Sequence, residues 1–405
     1  MIKIILRNIK NILVGWCIAV PLSLIIPKQK NLVLFMGRFQ GKFFGNVKSL
    51  YLYLNKLKEN DIKYLFFTEH NDVYRQLRNY NLPAIKHPSF LSLWTLLRAN
   101  VIIASSTAWI KKCKYHLLFR SKKVQIFHGL ALKKVELGIT KKTLYNRTYK
   151  GKLDNILRGR FPRYDLLISS SPFFTENLFK PSFNTIKIIE CGFPRNDLFF
   201  KKDFDELELL GADTETIFSI QKRQKQGCKV VIYAPTFRDT TGDAVSDNIL
   251  DMDTLSAFAD EHNMVFVFKF HISTDLHAQI KSYNNIFVYN NSSDIQPVLK
   301  ISDLLITDYS SVCIDYLLTN KPMLFFPYDR EKYVKKDREF LCDYDSLTAG
   351  PKCYTQTELL DEINKNLKGI DEYSEARQKL KELSFTDADG NASERVWNLL
   401  KKTYF

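Results

Sequence analysis

A chain of 405 residues, 45% hydrophobic and 25% charged, is long enough for two ordinary domains and too mixed in composition for a fibrous or disordered protein. Its net charge of +15 calls for an anionic partner; with no recognised nucleic-acid module, a phosphate-rich substrate or a membrane surface is favoured over nucleic acid. Seven scattered cysteines with no C-x-x-C pair argue for reduced thiols in a cytosolic compartment, against a disulfide framework or zinc cluster.

The first thirty residues carry Lys3, Arg7, Lys10, Lys28 and Lys30 and no acid. Residues 11–27 are uncharged, but Pro21 interrupts a run already short of the roughly 20 apolar residues that a membrane span needs. No small-x-small cleavage site follows. Interfacial anchoring of residues 1–30 is therefore expected, ahead of a full span, a signal peptide or plain core.

Beyond Lys30, short apolar runs alternate with helical patterns. "NLVLFMG", "IKYLFF", "NVIIASS", "VQIFHG", "YDLLISSS" and "IKIIECGFP" read as strands, with amphipathic segments such as "NVKSLYLYLNKLKEN" between them. The polar stretch 200–227 breaks the alternation and is read as containing a linker. A second series follows: "CKVVIYAPTFR", "MVFVFKFH", "NNIFVYN", "DLLITDYSS" and "KPMLFFPYD". The reading is α/β: two Rossmann-like domains, 31–205 and 206–385, with a cleft between them. A last helix, within 386–405, is expected to pack back across both. Ligands of such sheets bind beyond the carboxyl ends of the strands, so polar residues there are the candidates for chemistry.

In the first domain, "FMGRFQGKFFGNVKS" offers Arg38, Lys42, Asn46 and Lys48, suited to an anionic acceptor or simply solvated. "VQIFHGLALKK" closes a strand with His128, turns at Gly129 and continues to Lys133 and Lys134. Histidine is the side chain best suited to take a hydroxyl proton near neutral pH, though a strand-end histidine is also a common structural residue. "CGFPRND" brings Arg195, for which a plain turn is the bland alternative.

In the second domain, "YAPTFRD" supplies Thr236 and Arg238, to grip a pyrophosphate or to brace the loop through an Arg–Asp pair. "FVFKFHIS" puts Lys269 and His271 at a strand end, where a donating imidazole offsets charge on a leaving phosphate. "LLITDYSSVCIDYLLTNKPMLFF" reads as strand, helix, strand, with Asp308, Ser310 and Ser311 at the first corner. Free N–H groups, the positive end of a helix dipole and two hydroxyls suit an anion. There is no H-E-x-x-H, Walker lysine or G-x-G-x-x-G motif, and neither metal nor cofactor is expected.

Taken together, these motifs resemble the CDP-glycerol:poly(glycerophosphate) glycerophosphotransferase family, the teichoic-acid polymerases, primases and their capsule-synthesis relatives. "HGLALKK" is similar to the family's H-G-T-P-L-K-K, with Leu130 and Ala131 in place of Thr and Pro. "GFPRND", "YAPTFRD", "ITDYSSVCIDY", "KPMLFFPYDREKY" and "DADGNASERV" follow in family order. The resemblance implies a glycosyltransferase-B arrangement and a monotopic enzyme at the cytoplasmic face of the membrane. An acceptor hydroxyl on a lipid-linked or polysaccharide polyol phosphate would attack the β-phosphorus of a CDP-polyol, glycerol first among the polyols, releasing CMP. It implies His128 as base and His271 as stabiliser of the pyrophosphate. Arg238, Ser310 and Ser311 would be phosphate ligands, joined by Thr236, Lys269 and Asp308 on the donor side. Arg38, Asn46, Lys133, Lys134 and Arg195 would meet the acceptor. A nucleotide-sugar glycosyltransferase or epimerase of the same fold is the alternative, and a non-enzymatic polyanion or membrane binder a third reading.

Overall fold

The computed structural model describes residues 11–140, 148–236, 238, 244–270, 283–336 and 339–405. It divides into two compact units. The first comprises Met1–His128, Val135–Asp197 and Thr386–Phe405; the second comprises Gly129–Lys134 and Leu198–Phe385.

The first unit is built on seven parallel strands: β1 (Gln29–Met36), β2 (Lys63–Thr68), β3 (Ala84–Lys86), β4 (Ala99–Ala104), β5 (Lys122–Gln125), β6 (Leu166–Ser169) and β7 (Ile188–Glu190). Their order is β3-β2-β1-β4-β5-β6-β7. β1 lies inside the sheet, between β2 and β4, and both of its faces are apolar. Val33, Leu34, Phe35 and Met36 are all buried, in register with Tyr64–Phe67 on one side and Val101–Ala104 on the other. The helix Gly45–Leu57 buries Val47, Leu50, Tyr51 and Leu54, a three-to-four-residue spacing that makes one apolar stripe. The helix Phe90–Arg98 begins with a Ser89–Ser92 capping box. Ser92 Oγ also meets Nδ1 of the buried His87 at 2.9 Å. Burial, with Lys114 nearby, pushes the His87 pKa down to about 4.

The second unit has five parallel strands: β8 (Lys229–Tyr233), β9 (Met264–Phe268), β10 (Ile286–Val288), β11 (Leu304–Thr307) and β12 (Met323–Phe325). Their order is β10-β9-β8-β11-β12. β9 and β11 are buried along their whole length, as the uninterrupted apolar runs require.

Three details differ from the sequence reading. The stretch 200–227 holds a 3-10 turn, Glu206–Leu209, and the helix Thr214–Lys225 capped by Asp213. It lies wholly within the second unit; its polarity is that of a helix burying only Ile217 and Ile220. The change of unit falls earlier, between Asp197 and Leu198. The last helix, Ala392–Tyr404, groups with the first unit, where Trp397 Nε1 donates to Glu59. Residues 11–25 form a π turn, Gly15–Ala19, running into the helix Val20–Ile25, and among the described residues no helix is long and apolar enough to cross a membrane.

Candidate active site

In the first unit, the ends of β1, β4, β5 and β7 bring together five polar groups. β5 stops at Gln125, and the chain turns through Phe127 at φ 24° before reaching His128. The histidine thus lies three residues past the strand, not on its last residue. Its Nδ1 sits 2.8 Å from Ser105 O, directly after β4. A carbonyl only accepts, so Nδ1 carries the proton and Nε2 keeps its lone pair. Burial, then Arg38, holds the His128 pKa well below its ordinary value; the Ser105 bond opposes this and Arg195 adds to it. The partly exposed ring is therefore a neutral imidazole with a free basic nitrogen.

Asn46 and Arg195 brace this corner. Asn46 is 1% exposed, donates to Ile126 O and Phe127 O at 2.8 and 2.9 Å, and accepts from Arg195 N at 3.1 Å. All three of its polar contacts go to backbone, so it shapes the turn that carries His128. Arg195 Nη1 donates to His128 O. Arg38 lies at the end of β1 with its guanidinium 4.6 Å from the Phe39 ring. Lys133 and Lys134 belong instead to the second unit, where Lys133 Nζ donates to Tyr333 OH at 3.0 Å and Lys134 Nζ pairs with Glu339 at 2.8 Å. Leu130, where the family has Thr, is fully buried.

In the second unit, the ends of β8, β9, β11 and β12 hold the donor-side candidates. Arg238 Nη1 donates to Asp308 and to Thr236 O, while Nε and Nη2 donate to the two oxygens of Asp329 at 3.0 and 2.9 Å. Burial works against the guanidinium charge, but Asp308 and then Asp329 outweigh it and the pKa is raised. An Arg–Asp brace therefore exists, through residues 70 and 91 positions away; Asp239 lies outside the described residues. Asp308 is 1% exposed and also accepts from the N–H groups of Thr236, at 2.7 Å, and Tyr309. Thr236 Oγ1 is buried and has no partner among the described residues.

Lys269 lies one residue past the end of β9, and its Nζ donates to Phe270 O and Asn291 O at 3.0 and 2.9 Å. Burial lowers its pKa to about 8, against the pull of Asp294 and Asp213. Ser310 and Ser311 precede the helix Val312–Tyr316, are half-buried, and Ser311 makes no side-chain cap bond to it. Their hydroxyls have no partner among the described residues, and at the helix start the N–H groups of Cys313 and Ile314 already donate to Ser310 O and Ser311 O, at 3.4 and 3.2 Å. His271 lies outside the described residues.

One contributor, Asp329, escaped the sequence reading. Asp329 stands four residues past β12, at a strand end like the other candidates, and its position was the available signal. Asp197 accepts the N–H groups of Ala392 and Ser393, both at 2.8 Å, and Arg395 Nε reaches Cys191 O at 3.1 Å. "CGFPRND" and "DADGNASERV" thus form one contact, which nothing in their separate patterns announces.

The pattern of the CDP-Glycerol:Poly(glycerophosphate) glycerophosphotransferase family matches residues 18–402. A teichoic acid glycerol-phosphate transferase of Staphylococcus aureus is 28% identical over 384 residues, covering 92% of this chain and 94% of that protein. A teichoic acid poly(glycerol phosphate) polymerase of Bacillus subtilis is 30% identical over 350 residues, covering 84% of this chain and 44% of the polymerase. A solved structure of the wall teichoic acid polymerase TagF matches with a TM-score of 0.70 at 25% identity, over 99% of this chain and 97% of that one.

Proposed function

The chain belongs to the CDP-glycerol:poly(glycerophosphate) glycerophosphotransferase family, and from that membership we infer a transferase that moves a polyol phosphate from a CDP-activated donor to an acceptor hydroxyl in teichoic-acid synthesis. The family match across 18–402 is the observation that carries this reading. Bond formation is between the acceptor oxygen and the β-phosphorus; the bond to the bridging oxygen breaks, and CMP leaves. Glycerol phosphate is the polyol unit we assign first.

The geometry supports a division of labour. His128 presents a neutral imidazole whose Nδ1–H is held by Ser105 O, leaving Nε2 to take the acceptor's proton. We assign Arg38 and Arg195, whose charges both act on His128, to an acceptor that carries phosphates of its own. On the donor side, the hydroxyls of Ser310 and Ser311 and the remaining N–H groups of the helix start are assigned to the diphosphate. His271 is assigned to its leaving oxygen by the resemblance alone.

We place the acceptor on a lipid carrier and the enzyme at the cytoplasmic face of the membrane. In support, Leu13, Ile18 and Ile25 of the first helices are 57%, 54% and 78% exposed, and Phe90, Leu91 and Trp94 of a contacting helix are 86%, 64% and 41% exposed. Such apolar side chains near basic residues suit an anionic bilayer surface. Sedimentation with anionic vesicles, weakened by salt, is the expected behaviour; no binding to any vesicle overturns this placement.

The activity itself is tested by incubating the protein with CDP-glycerol and CDP-ribitol separately, with a polyol-phosphate acceptor, and assaying CMP. CMP release with one of them is expected. Release of a nucleoside diphosphate from a nucleotide sugar instead points to the glycosyltransferase alternative and overturns the assignment.

A further inference from the structure

The segment "FPYDREKY" has no part in the chemistry above, yet it closes around the arginine of "YAPTFRD". The side chain of Arg238 is 1% exposed. Its guanidinium carbon lies 5.4 Å from the rings of Tyr309 and Tyr328 and 5.7 Å from that of Tyr333. Asp329 holds its fork through two oxygens, and Asp308 and Thr236 O take Nη1. Four of its five N–H donors are thereby committed to the protein. One guanidinium between two carboxylates leaves a formal negative charge, the wrong sign for a diphosphate ligand.

What the clamp does hold is the corner. Asp308, gripped by Arg238, accepts the N–H groups of Thr236 and Tyr309 at once, tying the end of β8 to the turn after β11. Tyr344 OH donates to Asp308 O at 3.0 Å, and Tyr309 stacks on Tyr333 with centroids 4.1 Å apart. Ser310 and Ser311 follow directly.

We propose that Arg238 is a positioning residue and not a phosphate ligand: with Asp329 and the tyrosines of "FPYDREKY" it fixes Asp308, and through Asp308 it presents the Ser310–Ser311 corner to the donor. This rests on the reading that the corner holds the donor diphosphate.

The two roles for Arg238 predict opposite signs for Asp329→Asn. If Arg238 were a phosphate ligand, removing a competing carboxylate would leave donor affinity unchanged or tighter. As a positioning residue it loses its fork, and calorimetric affinity for CDP-glycerol should weaken about tenfold, the size of one lost coupling in a shared network. The double variant Arg238→Met/Asp329→Asn should bind no more weakly than the worse single variant. Unchanged or tighter donor binding by Asp329→Asn, or additive losses in the double variant, overturns the proposal. Asp329→Glu, which keeps the charge but shifts the fork, serves if the Asn variant does not fold; its donor binding should also weaken, and unchanged binding overturns the proposal. The Ser310→Ala/Ser311→Ala variant is measured alongside. Normal donor binding there removes the corner reading, and the proposal with it. Weakened binding there with unchanged or tighter binding in Asp329→Asn removes the clamp alone.

Discussion

Asp197→Ala should loosen the last helix of the chain without undocking it. Asp197 accepts two backbone N–H groups, from Ala392 and Ser393, each at 2.8 Å, at the start of a 13-residue helix. A hydrogen bond to a charged group contributes about 1.5–3 kcal/mol, and an N-cap replaced by Ala typically costs about 1. Burial pushes the Asp197 pKa up to about 6, so the cost of holding its charge offsets part of these two bonds and the N-cap figure applies. The expected loss is about 1 kcal/mol. Val396, Trp397 and Leu400 remain buried on the same helix and keep it in place. Asp197→Asn retains one accepting oxygen and carries no buried charge, so it should lose less than Asp197→Ala. Hydrogen exchange is the informative assay, because a chain of two units need not unfold in one step. Amides of 392–404 should exchange faster in Asp197→Ala, with those of β8–β12 unchanged. Protection of 392–404 equal to wild type would refute the capping argument.

His128→Ala should retain donor binding while losing about 10²–10⁴-fold in rate, the usual range for a general base; near-normal kcat removes the base assignment. A base works deprotonated, and the His128 pKa lies well below the ordinary 6.5; kcat/KM should therefore stay level as pH falls through 6.5 and drop only lower, whereas an acid limb centred at 6.5 or above contradicts it. Ser310→Ala/Ser311→Ala should raise the donor KM by an amount matching about 1.5–3 kcal/mol per lost bond to phosphate, measured by steady-state kinetics. His87, at about 4 when folded against 6.5 when unfolded, binds fewer protons in the native state across that window. Stability should therefore decline as pH falls from 6.5 to 4, by at most about 3 kcal/mol from this residue, and the decline should flatten in His87→Gln by urea titration.

Strands were legible because parallel sheets bury both faces, and "LVLFM", "VIIA", "VVIY" and "LLIT" are continuous apolar runs. β3, Ala84–Lys86, has one buried residue, Ile85, and so offered no apolar run to be read. The candidate residues were found by the strand-end rule, but their duties were not. The orientation of His128 comes from a backbone carbonyl 23 residues earlier, and no side-chain pattern encodes a carbonyl. The partners of Arg238, Asp308 and Asp329, lie 70 and 91 residues away and are set by which strands lie beside β8, which no local pattern shows. Lys133 and Lys134 stand close to His128 in sequence, yet the chain changes units directly after His128, and the lysines find partners in the second.

The cap at Asp197 has a consequence for how the protein is made. The first unit is written in three pieces, with the whole of Leu198–Phe385 inserted before its last piece, Thr386–Phe405. During synthesis, the contacts of Asp197, Cys191 and Glu59 with this last segment cannot form until residues 386–405 have left the ribosome. Nearly all of the second unit emerges as one continuous stretch before that point. The contacts of the first unit with 386–405 thus form only after Leu198–Phe385 has been translated.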